Sequence, residues 1–454
     1  MQHFELDLWL PALTLLSVLY YATGFFLRRM DSGFKDWGSI LVNSGLGLGL
    51  LLSFTSLALS KETAGWYVIV IAVLFAVEVF ARPLAWFEVL VEALLSLSLL
   101  MILNDPQVSA SLGDFLFGAS LIWLGGDLIF GLLVEKRIHR PVTLGVGYLL
   151  LIASTVSLMS SDNETTATIY LGVFALFFAI NAFVSRDPRQ GYFVTTYIPL
   201  AAISLSNAIG FEKWIFPLIV LAVIYYVLGF LLRRSEPAKG WSRMLLNSGL
   251  GLGVLTSIAA PVQGGLAAAI PVAIAATLFA AEAFVLRNVW WALPANLLYL
   301  MSYFMILWEL NVEQPQYYSI GAALLGMLMH YLLTRAGSKT GAFIAGMLSQ
   351  LVLLGTTYIQ MVSTNELQFF FVLFIQSLVI LFYGLILRSR SLVITPIAFA
   401  VLGSITVVYS ALKGLSTVIL IGCTGVGLLL LGIVAVILRE RITRFGEQLS
   451  DWKP

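Results

Sequence analysis

The sequence predicts an all-α integral membrane protein of about 17 transmembrane helices, built as two parallel-oriented eight-helix repeats with one appended helix. Three observations predict it. The 454 residues are 60% hydrophobic and only 11% charged, with mean hydropathy +0.96, whereas a soluble domain carries roughly 25% charged residues. The Lys and Arg residues collect in alternate loops. One stretch of the chain occurs twice.

The repeated stretch reads YYATGFFLRRMDSGFKDWGSILVNSGLGLGLL at residues 20–51 and YYVLGFLLRRSEPAKGWSRMLLNSGLGLGVL at residues 225–255. Tyr20, Gly24, Phe25, Arg28 and Arg29 recur as Tyr225, Gly229, Phe230, Arg233 and Arg234, an offset of 205. After one residue is lost in the loop, Trp37 and the run Asn43 to Gly49 recur at Trp241 and Asn247 to Gly253, an offset of 204. Seven consecutive identities in register mark an internal duplication. The halves are 1–212 and 213–412, followed by a final helix and short tail at 413–454.

Each crossing needs about 20 apolar residues, and charges divide the chain at intervals that suit this. The first half supplies spans near 8–27, 38–59, 65–81, 84–103, 114–134, 142–160, 166–184 and 192–210. The second supplies spans near 214–232, 243–260, 265–286, 288–308, 317–334, 341–362, 368–387 and 391–411, and the appended span lies near 416–438. A single arginine with Pro83 separates the third and fourth spans at Arg82, and Arg287 separates their counterparts in the second half. The amino terminus MQHFELDLW lacks the basic segment of a cleaved signal, so the first run reads as a retained span. Stops such as FFLRR, FVSR, FLLRR, FVLR and LILR end odd-numbered spans. They fit either an older hairpin repeat or exit arginines that snorkel to the interface.

Of the 25 Lys and Arg, only Lys61, Lys213 and Lys413 fall outside one alternate set of loops and the tail. The opposite loops hold Glu62, Asp105, Asp114, Asp162, Glu164, Glu309, Glu313 and Glu366. Positive charge stays on the cytoplasmic side, which places the amino terminus outside and the carboxyl terminus in the cytoplasm. Trp9, Trp37, Trp66, Trp86, Trp214, Trp241, Trp290 and Trp308 stand near span ends, as interfacial belts require. An even number of spans per half gives both halves the same orientation, related by an axis along the membrane normal.

These features also exclude function classes. The net charge of +1 and the absence of a sizeable basic surface exclude nucleic acid as a partner. Loops of about a dozen residues leave no room for a soluble catalytic or nucleotide-binding domain. Cys423 is the only cysteine and forms no internal disulfide. There is no H-E-x-x-H, G-x-S-x-G or Walker loop and no Cys or His cluster, so neither an enzyme, a cofactor nor a metal centre is expected. His330 stands without a second histidine at helical spacing and reads as a core residue facing another helix. Asn163-Glu164-Thr165 matches a glycosylation sequon on the expected outer side.

Candidate site residues are the polar groups inside spans, which are costly there and default to functional candidates. Glu78 stands one turn before Arg82, and Glu282 holds the matching place near Arg287, so ion pairing accounts for both. Glu88 and Glu92 share a helix face; Glu92 is the deeper, and Asn296 is its counterpart in the second half. Asp127 lies among Gly125, Gly126 and Gly131, which suits either a proton or cation site or a hydrogen-bonded structural acid. The runs Asn43-Ser44-Gly45 and Asn247-Ser248-Gly249 carry two readings. Gly45 with Gly49, and Gly249 with Gly253, have the spacing of close helix contact. Polar, glycine-interrupted segments in matching places of two halves also point to a transporter's binding site, and near the interface each Asn could simply cap its helix.

The sequence therefore points first to translocation of a small solute, ion or lipid through a site between two duplicated halves. A structural subunit of a larger membrane complex is the alternative, and a lipid-phase enzyme the third reading. Membrane lipids are expected partners in each case, and partner subunits in the second.

Overall fold

The structure is a computed structural model that describes residues 6–30, 34–59, 64–82, 85–104, 111–133, 140–364, 366–387 and 389–412. The expected seventeenth span and the tail lie outside the described residues. Those residues form an all-helical protein. The first eight helices are α1 (Leu6–Arg28), α2 (Lys35–Leu59), α3 (Ala64–Ala81), α4 (Ala85–Leu103), α5 (Leu112–Leu133), α6 (Arg140–Met159), α7 (Glu164–Ser185) and α8 (Pro188–Ala208). The next eight are α9 (Ile215–Leu232), α10 (Lys239–Gln263), α11 (Leu266–Leu286), α12 (Ala292–Glu309), α13 (Pro315–Arg335), α14 (Lys339–Thr364), α15 (Leu367–Leu387) and α16 (Ser391–Leu412).

Fourteen of these sixteen helices are long and apolar enough to cross a membrane, which makes the chain a multi-pass membrane protein by length and composition. The two that fall short are α8 and α13, both counted as spans from the sequence. They are long enough, but Thr195, Ser204 and Ser206 in α8 and Ser319 and His330 in α13 lower their apolarity. Those polar groups are buried and bonded inside the protein. Ser204 Oγ donates to Glu164 O at 3.0 Å, and His330 Nδ1 lies 2.7 Å from Ala342 O, which makes His330 the core histidine expected of it.

The chain divides into two compact units, Met1–Glu212 and Lys213–Pro454. In each, neighbouring helices pair as hairpins: α1 with α2 through α7 with α8, and α9 with α10 through α15 with α16. Lipid offers apolar side chains as good a solvent as protein does, so close packing and hydrogen bonds between helices must hold these pairs. Ser17 Oγ donates to Gly45 O at 2.7 Å and Ser242 Oγ to Gly229 O at 2.7 Å. Ser98 Oγ donates to Gly65 O at 3.0 Å, and Ser302, at the same place in the second unit, donates to Ala269 O at 2.9 Å.

The glycines of the repeated stretch are where the backbones meet. A Cβ added at Gly45 would stand 2.9 Å from Ser17 O and Tyr21 N, and one at Gly249 would stand 2.7 Å from Ala222 O. Gly49 faces Ile71 and Ser17, Gly253 faces Ala275, and a Cβ at Gly24 would meet Val42 N at 2.6 Å. Gly47 and Gly251 have nothing within 4 Å. The expected result is that Gly45→Leu lowers folded yield in detergent, at a cost of at least about 1–3 kcal/mol because backbone cannot give way as a side chain can. Gly47→Leu should leave yield unchanged. Equal yields from the two variants, read by size-exclusion chromatography, would contradict this packing.

Helix ends follow ordinary rules. Asn163 caps α7, its side chain accepting from Thr166 N at 3.1 Å, and Asp187 caps α8. Arg186 and Arg287 end α7 and α11 with φ of 52° and 50°. These left-handed C-caps carry a long basic side chain outward, where it can reach the interface.

Candidate functional site

The buried charge of the first unit falls into two groups. The first is an ion cluster across α1 and α3. Glu78 is fully buried. Arg28 Nη1 donates to its Oε1 at 2.9 Å, Arg82 Nε lies 3.1 Å from the same oxygen, and Tyr21 Oη donates to Oε2 at 3.1 Å. The second unit repeats the arrangement: Tyr226 Oη donates to Glu282 Oε2 at 3.1 Å and Arg233 Nη1 to Oε1 at 3.3 Å. Both oxygens of each carboxylate are thus engaged, as a buried charge requires. The i,i+4 pair of Glu78 with Arg82 was legible in the sequence. Glu282 departs from the expectation: its cation is Arg233 of α9, not the neighbouring Arg287. Arg287 is five residues on, about 140° around the helix from Glu282, and ends α11 outside its last turn.

The second group lies between α4 and α5 and behaves differently. Glu92 on α4 is 1% exposed, and neither carboxylate oxygen has a hydrogen-bond partner. It lies against Gly126 of α5: a Cβ there would stand 2.5 Å from Glu92 Oε1, so a larger residue would make the carboxylate shift. Among the described residues, the charge that acts on Glu92 is another carboxylate, that of Asp127, itself buried. Glu88, one turn earlier on α4, is buried as well. One turn beyond Glu92, Ser96 Oγ donates to Glu92 O at 2.9 Å and accepts from Trp123 Nε1 at 2.9 Å. The α4–α5 contact is therefore a polar seam inside an apolar pair, centred on one carboxylate whose oxygens bond to nothing. Among the described residues no three acids, histidines or cysteines come together as a metal site.

In the second unit the place of Glu92 is taken by Asn296 on α12. Its Nδ2 donates to Leu325 O of α13 at 2.8 Å, while its Oδ1 is buried without a partner. Both units thus set a polar side chain into the corresponding helix contact, and only the first unit's is ionisable.

The Asn-Ser pairs are placed elsewhere. Helices α2 and α10 run unbroken through them, so no unwound segment forms and neither Asn stands at a helix start. The capping reading is corrected on this ground, because an N-cap residue stands outside the helix it caps. Asn43 and Ser44 are exposed, while Gly45 beside them is buried against α1. Asn247 is exposed too and lines a cavity of the second unit, while Ser248 Oγ lies 3.9 Å from Met244 Sδ. Gly249 is buried against α9. Of the candidates, Glu92 lies against Gly126, the residue before the buried Asp127, so both acids belong to the α4–α5 pair. Asn43 and Ser44, exposed on α2, do not join them.

Sequence reasoning missed Tyr21 and Tyr226. The signal was present, since the doublet Tyr20-Tyr21 recurs as Tyr225-Tyr226, but nothing in one dimension says which tyrosine faces an acid on the next helix but one. No protein-family model matches the chain, and neither a curated protein nor a solved structure matches it.

Proposed function

We propose that this multi-pass membrane protein translocates a proton or a small monovalent cation, and that Glu92, with Asp127 beside it, is the group that exchanges it. The observation that supports this reading is the pair of Glu92 oxygens, buried and without partners in a seam between two membrane-crossing helices. A structural carboxylate at that depth is expected to look like Glu78, with every oxygen bonded. Glu92 has its bonding capacity open, which suits a group that takes up and releases a cation. No bond-making chemistry is assigned, so the protein is read as a translocator and not as an enzyme.

A structural subunit is the second reading, and one observation favours it. Asn43 and Ser44 stand on an exposed face about 12 Å into α2, where a partner helix would satisfy them better than lipid would. Flux separates the readings. The purified chain in sealed liposomes, under an imposed pH or sodium gradient, should dissipate that gradient faster than empty liposomes do. Folded protein that moves neither ion would leave the subunit reading in possession.

A further inference from the structure

We propose that the second unit carries a binding site for an anionic phosphate group, as in a lipid headgroup, in the groove at the basic end of α9, α10 and α11. This inference is independent of the cation reading above. A cavity of about 510 Å³ lies there, lined on its polar side by Arg233, Lys239, Ser242, Arg243, Asn247 and Glu282, with Trp291 among its apolar walls. Arg233 is held by Glu282 and Lys239 by Glu236, at 3.3 and 2.6 Å. Arg243 is exposed and has no ion pair among the described residues. Ser242 spends its hydroxyl proton on Gly229 O. The groove therefore holds three cations against one lining acid, with the Arg243 guanidinium, the side chain best suited to grip phosphate, left available.

The first unit differs at two of these places. At the place of Arg243 it has Ser39, and at the place of Leu286 it has Arg82. Arg82, directly after α3, keeps its Nε 3.1 Å from Glu78 Oε1 and reaches across to α2, Nη2 donating to Ser39 Oγ at 3.4 Å. In the first unit a guanidinium thus bridges α2 and α3 at this place. In the second unit the arginine has moved to the opposite wall, and Leu286, 40% exposed, leaves the space between α10 and α11 open. An unfilled basic groove between helices, at the end that the charge asymmetry of the loops assigns to the cytoplasm, matches the recognition of anionic headgroups.

The test uses the full chain and two variants, Arg243→Ser alone and Arg243→Ser combined with Leu286→Arg. Each substitution installs the residue that the first unit has at that place, and both positions are exposed, so each variant should fold. Native mass spectrometry after titration with phosphatidylglycerol in a phosphatidylcholine background reads bound anionic lipid, and thermal shift with inorganic phosphate reads the soluble ion. The wild-type chain should retain phosphatidylglycerol in preference to phosphatidylcholine. Arg243→Ser should weaken that retention about tenfold, the loss of one charge-assisted contact, and adding Leu286→Arg to it, which rebuilds the first unit's Ser–Arg pair, should abolish it by occupying the groove. If inorganic phosphate stabilises the wild type and displaces the lipid, and Arg243→Ser loses that effect, the site stands and its source is the free ion. If neither phosphate species binds, or if both folded variants bind as the wild type does, the proposal is overturned.

Discussion

Glutamine in place of Glu92 is expected to reduce ion movement by the reconstituted protein to the level of empty liposomes, while folded yield and melting temperature stay the same or rise. The two halves of that result come from one feature. A buried polar group without a partner costs about 1–3 kcal/mol, and more when charged, so a neutral group of the same shape relieves a cost already present at Glu92. The same substitution removes the change of state at Glu92 itself, because an amide neither takes up a proton nor offers a negative charge to a cation. Glu92→Asn, which installs the second unit's residue, should lose flux in the same way. A Glu92→Gln protein that melts lower and still moves ions would make Glu92 a structural acid.

Glu78→Ala is expected to have the opposite signature, a large loss of stability. Arg28 has 14% of its side chain exposed and Glu78 none, so removing the carboxylate leaves a guanidinium and the Tyr21 hydroxyl buried without their partner. Breaking such a pair typically costs about 3–5 kcal/mol. Glu282→Ala should cost less, because Arg233 keeps 34% of its side chain exposed and water can take over the solvation of the stranded charge. Unfolding of the purified variants, followed by circular dichroism with increasing denaturing detergent, gives the order. Glu282→Ala at least as damaging as Glu78→Ala would contradict the burial argument.

The helices, the close contacts of Gly45 and Gly249, and the pairing of Glu78 with Arg82 were all legible in the sequence, because each is a local property. Apolar runs between charges announce helices, spacing of four announces a shared face, and neither depends on which helix lies opposite. What could not be read needed the opposite helix. Glu92 and Asp127 are 35 residues apart, and their placement in one helix pair depends on α4 and α5 packing with Gly126 turned toward Glu92. Arg28 reads as an exit arginine of the first span, and only the contact of α1 with α3 makes it the partner of Glu78. The polar character of α8 and α13 blurs the number of crossings for a related reason. Hydropathy assigns each Ser and Thr a fixed cost, whereas Ser204 and Thr195 are buried with bonds already made inside the protein.

The central claim is that Glu92 exchanges the translocated ion, and covalent modification of that carboxylate tests it most directly. A hydrophobic carbodiimide reaches carboxyl groups from the apolar phase. Peptide mapping gives the fraction of Glu92 modified, and flux in the same proteoliposomes gives the fraction of activity lost. The account predicts that the two fractions rise together, and that a high concentration of the transported ion slows both. Full modification of Glu92 in a protein that still dissipates the gradient would contradict it.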